Sequence, residues 1–223
     1  MSGTVARREV LLIGMVLVLA AGTLSAQQQN NVHRLFPPSD LGLLDAPDRD
    51  LWQRPDLIMD AMGIADGSVV ADIGAGSGWF TIRLARRVGP QGLVYAEDVQ
   101  QEMINAISRR VSREGFNNVQ PKLGTTNDPK LPPNSLDAAL MVDSFHEVEA
   151  ADRATMLSNL ARALKPQGRI GIVDFRLDGT GPGPAPEERV SPDVVMNAAK
   201  AAGLKLIRQE LFLEYQYFLI FGK

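Results

Sequence analysis

The sequence predicts an α/β fold, a doubly wound, mostly parallel seven-stranded sheet with an antiparallel C-terminal strand. Three observations predict it. Short apolar runs alternate with segments of helical period from residue 55 onward. The first of these runs passes directly into a glycine loop, Val70-Ala71-Asp72-Ile73-Gly74-Ala75-Gly76-Ser77-Gly78, and then into a helix. At the C-terminus, two apolar runs are joined only by Glu214 and Tyr215, too short a connector for a crossover helix, so they must pair antiparallel.

Taken in order, Pro55 to Met62 reads as a short helix with proline in its first turn. Ser68 to Ile73 is apolar and ends in glycines, the pattern of a buried parallel strand. From Ser77 to Val88, residues Phe80, Ile82, Leu84, Ala85 and Val88 fall mostly at helical spacing. A strand at Leu93 to Glu97, a helix from Gln101 to Glu114, and strands at Val119 to Leu123 and Ala138 to Val142 follow. The helix Asp152 to Leu164 is stopped by Pro166 and Gly168, and Arg169 to Phe175 is the fifth strand. Residues 179–188 (GTGPGPAPEE) form a loop. Pro192 to Ala202 is a helix, and Lys205 to Leu213 and Gln216 to Phe221 are the closing strands.

This domain, residues 51–223, has two segments ahead of it. Residues 1–26 carry Arg7 and Arg8, an apolar run from Val10 to Ala21 and small residues ending at Ala26, the order of a secretory signal peptide. The apolar run is short for a bilayer span. The expected location is therefore extracytoplasmic, cleavage placing the chain in a periplasm; the alternative is a membrane anchor made by the same segment. Residues 27–50, broken by Pro37, Pro38 and Pro47, read as an extended arm.

Composition excludes several kinds of chemistry. With 23 Lys+Arg against 26 Asp+Glu, the net charge of -3 gives no global attraction to phosphate, and no basic-aromatic stripe is visible, so no nucleic-acid partner is expected. The absence of cysteine removes disulfides, thiolate metal sites, iron–sulfur clusters and thiol nucleophiles. No close ligand spacing such as H-E-x-x-H occurs, so no metal is expected.

The glycine loop is the sharpest signal. Its glycines permit a tight turn and a close approach of ligand to backbone, and the following helix offers its positive end to an anionic group. The spacing is G-x-G-x-G, with Trp79 where a dinucleotide fingerprint needs its third glycine, and no Walker lysine is present. The next strand ends in Glu97 and Asp98; a carboxylate there can accept both hydroxyl protons of a ribose. Past the fourth strand stands Asp143-Ser144-Phe145-His146-Glu147. His146 is one of two histidines, with His33, and beside Glu147 it is a candidate general base or substrate anchor; the alternative is a helix cap with a solvated glutamate. Trp52 and Tyr217 are candidates to line a substrate pocket, against plain packing roles.

Four ordered motifs carry a family resemblance: VADIGAGSG (70–78), AEDV followed by Glu102-Met103 (96–103), LPPNSLDAALMVDSFHEV (131–148) and LARALKPQGRIGIVDF (160–175). With the terminal strand pair they make residues 50–223 similar to the class I S-adenosylmethionine-dependent methyltransferases, Rossmann-like enzymes, especially the small-molecule branch that includes ubiquinone and menaquinone biosynthesis C-methyltransferases. The resemblance implies S-adenosyl-L-methionine as cofactor and a small-molecule methyl acceptor. It places Gly74, Ala75, Gly76 and Gly78 under the methionine moiety, with Asp72 orienting its amino group and Asp143 at the same edge. It assigns Asp98 to the ribose and Val99 to the adenine. Relatives carry an acid directly after the glycine that ends the third strand; here Thr125 follows Gly124, and the adenine edge falls to Thr125 or Asp128. The rival reading is a non-catalytic exported binding protein that keeps the fold. Membrane contact is expected only through an uncleaved N-terminal segment.

Overall fold

Alternating strands and helices wind into a seven-stranded sheet of order β3-β2-β1-β4-β5-β7-β6. The strands are β1 (Val69–Ile73), β2 (Leu93–Asp98), β3 (Val119–Leu123), β4 (Leu136–Val142), β5 (Leu164–Phe175), β6 (Lys205–Glu210) and β7 (Gln216–Gly222). The computed structural model describes residues 35–179 and 181–223; the signal-peptide reading, His33 and the part of the arm before Leu35 lie outside them. β1 to β5 pair in parallel, and β7 inserts antiparallel between β5 and β6.

Both sheet faces are covered, which is why the central strands are mostly apolar on both faces. Odd and even residues go to different cores. Ala71, Ile73, Ala139, Met141, Ile170, Ile172, Tyr217 and Leu219 pack with Met156, Leu157 and Leu160 of α5 (Arg153–Ala163) and with Val195 and Ala199 of α6 (Pro192–Ala201). On the other face, Val70, Val94, Leu140, Val173, Phe218 and Ile220 meet Ile58 and Met59 of α2 (Pro55–Ala61) and Phe80, Leu84 and Val88 of α3 (Trp79–Val88). The remaining helix of this layer, α4 (Gln101–Glu114), buries Met103, Ile107 and Val111, spaced by four residues. It ends where Gly115 takes φ +73° and returns its N–H to the Val111 and Ser112 carbonyls. Ser191 caps α6, accepting from the Val194 N–H, with Pro192 in its first turn.

Three expectations are corrected. The arm is not extended throughout: Pro38–Asp45 winds as a 3-10 helix and Arg49–Gln53 as the short α1, because a proline in the first helical turn starts a helix as readily as it breaks one. β5 begins at Leu164, directly after α5; Leu136 pairs with Leu164 and Ala138 with Arg169, so Lys165 to Gly168 form a bulge within the strand. Gly168 suits that place, since a Cβ there would meet the Leu136 carbonyl oxygen at 2.7 Å. β6 stops at Glu210, short of Leu213. Among the described residues, no helix is long and apolar enough to cross a membrane.

Candidate active site

Strand order reverses between β1 and β4, and in open α/β sheets ligands bind at such a switch point, outside the carboxyl ends of the strands. The glycine loop leaves β1 there. Gly74, Gly76 and Gly78 have φ of +68°, +53° and +78°, a region that penalises any side chain. Space is equally tight: a Cβ on Gly74 would lie 2.5 Å from Ser144 Cβ, and one on Gly76 would lie 2.9 Å from a Leu44 methyl. Ala75, between the first two glycines, is buried.

Acidic groups converge on this loop. The Gly76 N–H donates to Asp98 Oδ2 and the Gln100 N–H to Asp98 Oδ1, both at 2.9 Å, so Asp98 closes the turn after β2 onto the glycines. Asp72 is buried and accepts from the Thr81 hydroxyl at 2.6 Å, tying β1 to α3. Burial pushes its carboxyl up to about 6, against the opposing pull of Thr81 and Arg49. Burial, with the neighbouring Asp98 charge, pushes Glu97 further, to about 8. Its Oε1 has no hydrogen-bond partner among the described residues and lies against Gly124, where a Cβ would come within 1.8 Å.

Asp143, just past β4, adopts φ +59°, an uncommon conformation for a residue other than glycine. Its carboxylate accepts from Arg49 at 2.9 Å and from the Gln216 amide, which is held in turn by the Gln53 side chain at 2.9 Å. Burial pushes Asp143 up to about 6 while Arg49 pulls it down. The Arg49 guanidinium lies 4.3 Å from the Trp79 ring and 5.8 Å from the Trp52 ring, and it donates to the Leu44 carbonyl at 2.8 Å. The arm is thus fastened over the loop. Asp45 adds bonds to the Ser77 hydroxyl and to Arg110, and the Phe36 carbonyl accepts from Gln100.

The remaining candidates divide. His146 is buried in a 3-10 turn (Phe145–Glu147), its Nδ1 2.9 Å from Asp174 Oδ1 at the end of β5. Glu147 is half-buried beside the Phe36 backbone, and burial pushes it up to about 7. Trp52 stands at the mouth, its ring 6.3 Å from Phe175. Thr125 and Asp128 share one turn, Thr125 donating its N–H to the Asp128 carbonyl at 2.9 Å, next to buried Gly124. Val99 is half-buried after Asp98. Tyr217 does not reach the site: its ring is in the α5/α6 core and its hydroxyl donates to the Val190 carbonyl at 3.0 Å. Alternation along β7 sends Gln216 into the site instead.

Arg49, Gln53, Gln216 and Asp174 complete the site without any local sequence signal. The assembled donor set suits the sulfonium cofactor implied by the motifs. Carboxylates of Asp72, Asp98 and Asp143 provide a field for a cation and acceptors for hydroxyls, and the glycine turn, free of side chains, admits close backbone approach.

Comparison with known proteins agrees. A family model described as a methyltransferase domain matches residues 70–168. The chain is 31% identical over 132 residues to nocamycin O-methyltransferase of Saccharothrix syringae, covering 59% of this chain and 44% of that one. It is 30% identical over 126 residues to the ubiquinone/menaquinone biosynthesis C-methyltransferase UbiE of Hydrogenovibrio crunogenus, covering 56% and 48%. The chain therefore spans about half the length of the curated relatives it matches. Among solved structures, it superposes on a SAM dependent methyltransferase from Aquifex aeolicus with a TM-score of 0.79 and 32% identity, over 83% of this chain and 98% of that one. With the motifs, the switch-point site and this near-complete match in hand, the chain belongs to the class I S-adenosylmethionine-dependent methyltransferases, whose cofactor is S-adenosyl-L-methionine.

Proposed function

We propose that the protein transfers the methyl group of S-adenosyl-L-methionine to a small-molecule acceptor at the carboxyl edge of the sheet. The observation that supports this reading is the closure of Asp98 onto the Gly76 N–H at the switch point, a carboxylate beside a side-chain-free glycine turn. Gly74, Ala75, Gly76 and Gly78 would underlie the methionine moiety, with Asp72 and Asp143 facing its cationic groups. Asp98 would take the ribose, Val99 the adenine face, and the Thr125–Asp128 turn the adenine edge. The chain's own contribution to an in-line displacement is alignment and exclusion of water, and here the arm held by Arg49 covers the loop.

Isothermal calorimetry on the full chain tests the cofactor site. Binding of S-adenosyl-L-methionine is expected, with Asp98→Ala weakening it at least about tenfold through loss of charge-assisted bonds. No binding at millimolar cofactor, or an Asp98→Ala protein indistinguishable from the original, would sink the reading. Export is proposed on the sequence of residues 1–26 alone, and fractionation of producing cells tests it.

A further inference from the structure

Four side chains from the arm, the end of β4 and the start of β7 close a hydrogen-bonded ring beside the glycine loop. Arg49 donates from Nε and Nη2 to Gln53 Oε1, each at 3.2 Å, and Gln53 Nε2 donates to Gln216 Oε1 at 2.9 Å. Gln216 Nε2 donates to Asp143 Oδ1, and Asp143 Oδ2 accepts from Arg49 Nη2 at 2.9 Å. A guanidinium can only donate and an ionised carboxylate can only accept, so these two ends dictate how each amide between them is turned. Flipping either glutamine would set oxygen against oxygen and nitrogen against nitrogen. The ring therefore runs in one direction, and its donors lead to Asp143.

Its members are unequally covered. Gln53, Gln216 and Arg49 are buried, whereas Asp143 is half-buried and forms the open side. That side adjoins the cofactor turn, because the next residue, Ser144, is the one that a Cβ on Gly74 would strike. Burying two amides costs free energy that an apolar pair would avoid. The face of β7 that carries Gln216 is otherwise apolar, continuing with Phe218 and Ile220. Packing alone thus gives no reason for a glutamine at this place.

Asp143 needs holding. It sits at φ +59°, and the ring fixes its side chain from two directions. A carboxylate offers about four lone-pair positions, and the ring takes one on each oxygen. Burial raises the Asp143 pKa to about 6 although Arg49 lies 2.9 Å away, so the partners already present under-compensate its charge. A second cation on the open side would stabilise it.

We infer that Gln53 and Gln216 are positioning residues, which with Arg49 aim the unspent lone pairs of Asp143 at the α-ammonium of the methyl donor and so select nucleosides that carry the aminobutyrate chain. The inference rests on the methyltransferase reading above. A primary ammonium brings three donors and no acceptor, the complement of a carboxylate whose other bonds are already fixed. Anchoring that end of the donor limits the swing of the sulfonium methyl, which an in-line displacement requires.

The test is calorimetry on the full chain with two probes of neutral sulfur. S-Adenosylhomocysteine carries the α-ammonium; 5′-methylthioadenosine lacks the whole aminobutyrate chain. Gln216→Met and Gln53→Met keep side-chain length and remove the hydrogen bonds. Each should weaken S-adenosylhomocysteine about tenfold, the worth of one charge-assisted bond, and leave 5′-methylthioadenosine within about threefold. Asp143→Asn, which tolerates the left-handed backbone, should also weaken S-adenosylhomocysteine about tenfold. Adding Gln216→Met to Asp143→Asn should then cost less than about threefold more, because the glutamine acts through that carboxylate. Retained 5′-methylthioadenosine binding reports that the nucleoside site of each variant is folded. Equal losses for the two probes, unchanged S-adenosylhomocysteine affinity, or a full tenfold loss on the Asp143→Asn background would overturn the inference. Failure of the original protein to bind either nucleoside would remove the methyltransferase reading itself, and this inference with it.

Discussion

Replacing Glu97 by glutamine should make the protein more stable at neutral pH, and the gain should grow with pH. Glu97 is 1% exposed, its Oε1 lacks a partner among the described residues, and Gly124 packs against it. Its carboxyl is raised from an ordinary 4.5 to about 8, burial being the main cause and the Asp98 charge the next. The folded protein therefore holds this proton over a pH range in which the unfolded chain has lost it. Where the native state binds more protons, stability falls as pH rises. The loss begins near 4.5 and is complete above about 8. At about 1.4 kcal/mol per unit, it reaches roughly 3 kcal/mol at pH 7 and roughly 5 kcal/mol at pH 9. A neutral amide of the same shape has no such dependence. Urea unfolding of both proteins from pH 4.5 to 8 should give superimposable midpoints at the acid end and a variant midpoint higher by roughly 1–2 M at pH 7. Parallel pH profiles for the two proteins would refute the assignment of a neutral, buried Glu97.

Two further outcomes follow from the same site. Asp72 and Asp143 titrate at about 6 in the unliganded protein, so a cationic sulfonium should bind roughly tenfold more tightly at pH 7 than at pH 5, with proton release detected by calorimetry in buffers of different ionisation enthalpy; flat or falling affinity would contradict it. Arg49→Ala removes the buried partner of Asp143 and the anchor of the Leu44 carbonyl. Thermolysin cleavage between residues 35 and 53 should accelerate at least about tenfold while the core midpoint changes little, because the arm opens locally; an unchanged rate would show that other bonds hold the arm.

Local pattern made most of the fold legible. The spacing of Met103, Ile107 and Val111 defines α4, and the strand-to-glycine-to-helix sequence at 69–79 with Asp98 twenty residues beyond Gly78 locates the switch point. What escaped was non-local. Arg49 and Asp143 are 94 positions apart and Gln53 and Gln216 are 163 apart, and nothing within either segment advertises the partner. Alternation along β7 separates Gln216 from Tyr217, but the choice of face is made by the α5/α6 core, which buries the tyrosine. The prolines of the arm are compatible with a helix start as well as with an extended chain, and only docking against the glycine loop decides between them.

The arm also has a consequence for the order of assembly. Its residues are synthesised before the sheet they dock against, yet Arg49 closes on the end of β4 and Gln53 on the first residue of the final strand. Contacts of such sequence separation carry a large loop-closure cost and form late. Gln216 cannot be in place until β7 has inserted between β5 and β6. The first described segment to leave the ribosome therefore docks last, and the cover over the glycine loop is completed only once the whole sheet has formed.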